Sequence, residues 1–252
     1  MNGVKAAASP LPLNTIYSAE LGTKLQPNDH ALYREMVGSL QYLAVCCRPD
    51  ISFSVNLCAR YVSNPYSSHL NAAKHILRYL KGTPLVGITY TGDVHMQDMW
   101  LCGYSDASYA ADPDNRKSTT GYVFTMFGGA ISWNSKLQPT VAISTTEAEY
   151  MATSAATREA TWIKKLLTEL GVYIGALPLK NDNQGAINLA HNSVNSPRVK
   201  HIDVIHHFIR ECIGNGVIKL DYIPTEDMVA DVMTKILPLH KLDKCCKNMG
   251  VY

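Results

Sequence analysis

The sequence has no Cys-x-x-Cys pair and no apolar run near the roughly 18 residues that a membrane span needs. Its seven cysteines are an odd number, and four of them form the adjacent pairs Cys46–Cys47 and Cys245–Cys246. That usage argues against a disulfide framework and fits reduced thiols inside a cell. His201, His206 and His207 have no cysteine at ligand spacing, which argues against structural zinc. The N-terminus lacks a secretory pattern. Charge of one sign is scarce as well: 23 Lys and Arg face 21 Asp and Glu, a formal net charge of +2. Bulk attraction to nucleic acid is therefore not built in, and the placement of charges has to decide. What is present is core: 46% of the 252 residues are hydrophobic, enough for one large domain or for a domain of about 150 residues with an extension.

The chain divides by its hydrophobic period. Residues 1–28 carry Pro10, Pro12 and Pro27 and few periodic apolar positions, and read as an extended lead-in. Residues 29–84 read as helical. His30–Cys47 places Leu32, Met36, Leu40 and Leu43 on one face, and Pro49-Asp50 starts a second helix to about Val62. A third helix, about Ser67–Lys81, turns Leu70, Ala73, Ile76, Leu77 and Leu80 inward. Its other side aligns Lys74, Arg78 and Lys81, either as a solvated face or as a stripe that tracks a nucleic-acid duplex.

After Gly82-Thr83-Pro84 the period shortens to that of strands, at about Met99–Ala107, Gly121–Phe127 and Ala130–Ser135. A long helix follows from about Thr145 to Leu170, with Ser144 or Thr145 placed to cap it and Gly171 to close it. The remaining elements are a strand (Pro178–Asp182), two helices (Gln184–His191, Asp203–Asn215), a strand (Val217–Ile223) and a short helix (Asp227–Ile236). Residues 96–240 thus form the principal α/β domain, and 241–252 a C-terminal tail.

Four acids fall where this order brings them together: Asp106 in the first strand, Glu149 in the first turns of the long helix, Asp182 at the end of the fourth strand, and Asp231 in the last helix. Taken singly, each is a cap or a solvated side chain. Converging carboxylates repel unless a cation sits among them. An all-oxygen donor set suits Mg²⁺, or Mn²⁺, and two such ions about 4 Å apart clamp a phosphodiester and activate water against it. Glu147 competes with Glu149, because about 200° of helical rotation separates them and only one can face the centre.

Seven stretches carry a resemblance: Tyr33–Leu43 (YREMVGSLQYL), Arg116–Tyr122 (RKSTTGY), Ser132–Lys136 (SWNSK), Thr146–Ala152 (TEAEYMA), Asp182-Asn-Gln184, Lys200–Asp203 (KHID) and Ala230-Asp231. In order, and over nearly the whole chain, they resemble the Pol polyproteins of copia-type retrotransposons. The match covers the helical segment after the reverse transcriptase and the ribonuclease H domain. The resemblance implies a ribonuclease H-like five-stranded mixed sheet flanked by helices, and a metal-dependent endonuclease that cleaves the RNA strand of RNA–DNA hybrids. It implies that Asp106, Glu149, Asp182 and Asp231 are catalytic and hold two Mg²⁺ ions. Ser144, Thr145, Thr146 and Gln184 would line the minor groove of the hybrid, where the 2′-hydroxyl is read, and Arg116, Lys117, Arg198 and Lys200 would meet phosphates. The partners implied are the hybrid and the reverse transcriptase portion of the same polyprotein, with no membrane. The location implied is intracellular, in the cytoplasm (a virus-like particle) or the nucleus. The chain departs from the resemblance at Ser196, Val199 and Ile205, where the family carries histidine, threonine and arginine, and Pro224–Met228 lacks the histidine of bacterial ribonucleases H. A catalytically inactive, nucleic-acid-binding remnant on the same fold is the alternative.

Overall fold

The computed structural model describes residues 3–91, 101–191 and 203–252. Helices α1 (Pro27–Cys46), α2 (Ser52–Ala59) and α3 (Ser67–Gly82) come first. Pro27 occupies the first turn of α1, where its missing N–H costs nothing. The buried face of α1 is Tyr33, Val37, Leu40 and Ala44, with Leu32 exposed, so the inward stripe sits one residue away from the expected one. The aromatic ring of Tyr33 decides this: its hydroxyl donates to the Cys58 carbonyl at 2.7 Å inside the bundle, so the ring can be buried with its polar end satisfied. A 3-10 turn at Pro49–Ile51 precedes α2, which ends at Ala59, short of Val62. The lead-in buries Leu11 and Tyr17 against the same bundle.

The second part is a sheet of β1 (Leu101–Ser108), β2 (Thr119–Met126), β3 (Gly129–Leu137), β4 (Leu177–Asn181) and β5 (Ile218–Tyr222), in the order β3-β2-β1-β4-β5. β1–β2 and β2–β3 pair antiparallel, β1–β4 and β4–β5 parallel. Phe127 and Gly128 link β2 to β3 with φ of +51° and +79°, the left-handed pair that a two-residue hairpin requires. β1 lies at the centre and is buried from Leu101 through Ala107, as a strand covered on both faces must be. Helix α4 (Thr145–Glu169) packs on one face through Tyr150, Ala156, Ala160 and Ile163, over Phe124 and Leu179, with α5 (Gln184–His191) and α6 (Asp203–Gly214) beside it.

The opposite face is covered differently from expectation. The helix anticipated over Asp227–Ile236 is two 3-10 turns, Thr225–Asp227 and Val229–Met233. Pro224 and Pro238 punctuate this stretch, and the tight turns bury five successive residues from Val229 to Met233. The stretch read as a tail holds a further helix, α7 (Leu239–Asn248), which buries Leu242 and Cys245, followed by buried Met249 and Val251. Burial of each large apolar side chain of this kind stabilises by about 1.5–3 kcal/mol. Backbone bonds from Gly87 and Thr89 to Tyr252 and Gly250 tie the end of the chain to the segment after α3. Side chains join the helical segment to the sheet: Arg60 donates to Asp112 (3.0 Å) and Thr119 (3.1 Å), and the Trp133 indole donates to the Ala44 carbonyl (2.7 Å).

Candidate metal centre

Asp106 points from β1, Asp182 follows the last residue of the parallel neighbour β4, and Glu149 stands in the second turn of α4. One carboxylate oxygen from each lies within 4.8 Å of the other two. Local sequence explains why Glu149 and not Glu147 takes part. Ser144 caps α4 by accepting from the Glu147 amide (3.1 Å), and the Glu147 carboxylate accepts from the Ile143 amide (2.8 Å). Glu147 is thus spent on the helix start, and Glu149 is turned inward, accepting from the Ala107 amide (3.2 Å) and from Asn181 Nδ2 (3.1 Å).

Asn181 was not singled out from sequence. It is fully buried, donates also to the Ser105 carbonyl (3.2 Å), and accepts from the Asn183 amide (2.7 Å), so it locks Glu149 to the strand that carries Asp182. Its position next to Asp182 was the available signal. Thr225 Oγ1 donates to Asp182 at 2.6 Å.

Asp231 is buried beside the trio but outside it. Its carboxylate is held by two ammonium groups, Lys235 Nζ at 2.6 Å and Lys241 Nζ at 2.9 Å. Lys235 Nζ also lies 3.6 Å from Asp106, and the Thr234 hydroxyl donates to Asp106. Neither lysine was flagged from sequence, although Lys235 follows Asp231 by four residues and Lys241 opens α7. Burial lowers the affinity of Lys235 for its proton, but Asp106 and Asp231 outweigh it and push the ammonium up to about 12.

Burial first, then the Asp231 and Asp182 charges, raises Asp106 to about 6 despite Lys235 and Thr234. Burial, followed by Asp106 and Asp182, raises Glu149 to about 9. The donor set is all oxygen, compact and short of positive charge, which fits a hard divalent cation such as Mg²⁺. In metal-free protein Glu149 favours its protonated form at neutral pH, and Asp106 does so only below about pH 6. Their contribution to stability is complete below the ordinary carboxylate range and is lost as pH rises through about 6 for Asp106 and about 9 for Glu149. A cation favours the ionised forms, so the gain in Tm on replacing EDTA with Mg²⁺ should grow between about pH 5.5 and about pH 8.5. Scanning fluorimetry measures it, and a gain that shrinks over that range would mean that no cation is drawn to these carboxylates.

The expected nucleic-acid contacts are placed as follows. Ser144 and Thr145 are exposed at the start of α4, and Gln184 is exposed at the start of α5. The two helix starts abut: a Cβ on Gly185 would lie 3.1 Å from Thr146 Oγ1. Arg116 is exposed, with φ of +58°, and Lys117 is half-buried, both in the loop that leaves the end of β1 nearest Asp106. Arg198 and Lys200 lie outside the described residues, as do Ser196 and Val199. On α3, Lys74 is exposed, whereas Arg78 Nε donates to the Lys5 carbonyl and Lys81 Nζ to the Val4 carbonyl, each at 2.8 Å. Part of the expected stripe therefore holds the lead-in.

Sheet order and the converging carboxylates together define a protein of the ribonuclease H-like fold class. No protein-family model matches the chain. It is 46% identical over 220 residues, 87% of its length, to the retrovirus-related Pol polyprotein from transposon TNT 1-94 of Nicotiana tabacum. It is 40% identical over 248 residues, 98% of its length, to that from transposon RE2 of Arabidopsis thaliana. The chain belongs to this family of retrovirus-related transposon Pol polyproteins, and spans 16% and 17% of the length of these two relatives. Among solved structures, LC11-RNase H1, isolated from compost by a metagenomic approach, aligns with a TM-score of 0.41 at 19% identity, covering 57% of this chain and 96% of that one. Among the described residues, no helix is long and apolar enough to cross a membrane.

Proposed function

We propose that the chain is the ribonuclease H portion of a copia-type retrotransposon polyprotein, and that it hydrolyses the RNA strand of RNA–DNA hybrids with a divalent metal ion. The observation that carries this is the convergence of Asp106, Glu149 and Asp182 at one end of the sheet, from three separate elements. These three side chains would hold the ion, Mg²⁺ or Mn²⁺. When bound, it supplies Lewis-acid polarisation of the phosphodiester and activation of water. The chain's own contribution is to fix the ligands: Asn181 orients Glu149, Thr225 orients Asp182, and Thr234 orients Asp106. Ser144, Thr145, Thr146 and Gln184 flank the carboxylates and offer short polar groups to a minor groove, where the 2′-hydroxyl separates RNA from DNA. Arg116, Lys117, Arg198 and Lys200 meet phosphates, which position the duplex without reading its sequence. The working partners are the hybrid and the polymerase portion of the same polyprotein, inside the cell, in a cytoplasmic particle or the nucleus. The deciding assay is cleavage of an end-labelled hybrid with Mg²⁺, against the same RNA as single strand and as RNA duplex. Absence of hybrid-dependent cleavage would leave a nucleic-acid-binding remnant.

On this reading Lys74, Arg78 and Lys81 extend the duplex surface, since a guanidinium that gives one N–H to Lys5 keeps other donors for phosphate. The triple alanine variant is expected to bind the hybrid more weakly and with a shallower salt dependence. Three full contacts would lower the slope by about 2.7 on a B-form duplex, and loss of Lys74 alone by about 0.9. Filter binding across a salt series measures it, and an unchanged slope assigns the stripe to the lead-in alone.

A further inference from the structure

We infer that the helical segment is a working part of the nuclease: Arg60, the residue after α2, positions the β1–β2 loop so that Arg116 and Lys117 meet the phosphates of the hybrid. The inference rests on the phosphate contacts proposed above and concerns what holds them in place. The loop spans residues 109–118, and Asp112 is its hub. The Asp112 amide donates to the Lys117 carbonyl (3.1 Å), and the Asp112 carbonyl accepts from the Arg116 amide (3.0 Å). Asp112 Oδ1 accepts from the amides of Asp114 and Asn115, each at 3.1 Å. One residue thus closes the turn that presents Arg116 and Lys117.

Those bonds close the turn on itself, and the helical segment sets its place on the molecule. Arg60 Nη1 donates to Asp112 Oδ2, the oxygen that the turn does not use, at 3.0 Å. Arg60 Nη2 donates to Thr119 Oγ1 at 3.1 Å, where β2 begins. The guanidinium therefore ties the hub of the loop to the strand that follows it. The side chains of Arg60 and Asp112 are 14% and 3% exposed, so water and salt screen the pair little. Burial leaves Arg60 Nε without a partner, a cost that the Asp112 and Thr119 contacts offset. The neighbouring residue and the lead-in add a second tie: Asp114 Oδ1 accepts from the Ala19 amide (3.0 Å), and the Tyr61 hydroxyl lies 3.1 Å from Asp114 Oδ2. Arg116 needs such support, because its φ of +58° is one that a side chain seldom adopts and that persists only where the surroundings hold it. Arg60 is spent on these contacts and acts through the loop, as a positioning residue.

The test is a mutant cycle read by hybrid binding. Filter binding in EDTA keeps the hybrid uncut and needs no catalysis, so it decides for an inactive remnant as well. Arg116→Ala with Lys117→Ala should weaken binding about tenfold and lower the salt slope by about 1.8 on a B-form duplex. Arg60→Met should reproduce most of that loss and of that slope, and should add nothing when combined with the two loop changes. Arg60→Lys, which keeps a charge beside Asp112, should recover most of the affinity. With Mg²⁺, Arg60→Met should raise KM and leave kcat as in wild type. Additive losses, an unchanged salt slope in Arg60→Met, a fall in kcat with KM unchanged, or no recovery by Arg60→Lys would each overturn the positioning role while leaving the phosphate contacts in place. Loop changes that leave binding at wild-type strength would overturn both. Should Arg60→Met fail to fold, Arg60→Met with Asp112→Asn strands no buried charge and enters the same cycle.

Discussion

Asp106→Asn should abolish Mg²⁺-dependent cleavage of the hybrid, by roughly a thousandfold or more, while hybrid affinity stays close to wild type. Asp106 is 2% exposed, lies on the central strand, and is in reach of Glu149, Asp182 and Lys235 alike. The substitution is nearly isosteric and removes a charge that burial already disfavours. The metal-free Tm should therefore hold or rise, and the loss should fall on turnover alone. On the proposed reading, binding rests on groove and phosphate contacts, which the change does not touch. Equal cleavage by variant and wild type in a time course would place the activity elsewhere.

The second large effect is expected at Gly121, which pairs with Asp106 across β1 and β2. A Cβ there would lie 2.6 Å from both Met233 Cβ and Thr234 Cγ2 and 3.1 Å from the Ala230 carbonyl. None of these is the far end of a flexible side chain, so the 3-10 turn carrying Asp231 would have to lift off the sheet. Gly121→Ala should cost about 1–3 kcal/mol, a fall in Tm of roughly 2–12 °C for a chain of this size. It should also slow cleavage, because the same movement pulls Thr234 from Asp106. Gly38→Ala is the control: it is exposed on α1 with nothing within 4 Å of the added methyl, so it should be neutral or stabilise by up to about 1 kcal/mol. If the two variants melt alike, the close packing of the turn on β2 is not what holds the site.

Much of this was legible in the residues. Helix α4 was anticipated within one residue, because Ser144 and Gly171 punctuate it and an acid, Glu147, stands in its first turn. The strands were legible from alternation and from the glycines at 128 and 129 that mark the turn before β3, and three of the acids from their places in strand and helix. Less legible was the covering of the second face. The run from Val229 to Met233 is apolar enough for a helix, and only Pro224 and Pro238 hinted that it could not continue as one. Helix α7 hides its apolar positions, Leu242 and Cys245, among lysines, so composition favoured a tail.

The sequence by itself determined the order of the elements and the ends at which the acids sit, because capping, turn chemistry and hydrophobic period are local properties that the chain carries residue by residue. The tertiary structure alone decided that Asn181 braces Glu149, that Arg78 and Lys81 clasp the lead-in, and that Lys235 stands between Asp106 and Asp231. Apart from Lys235 with Asp231, which is local, those pairings join residues 32 to 129 positions apart, and distance across a sheet is set by strand register and by how closely Gly121 lets a turn approach β2. No local pattern encodes that distance, so the charges around the centre could be counted only once the sheet had brought them together.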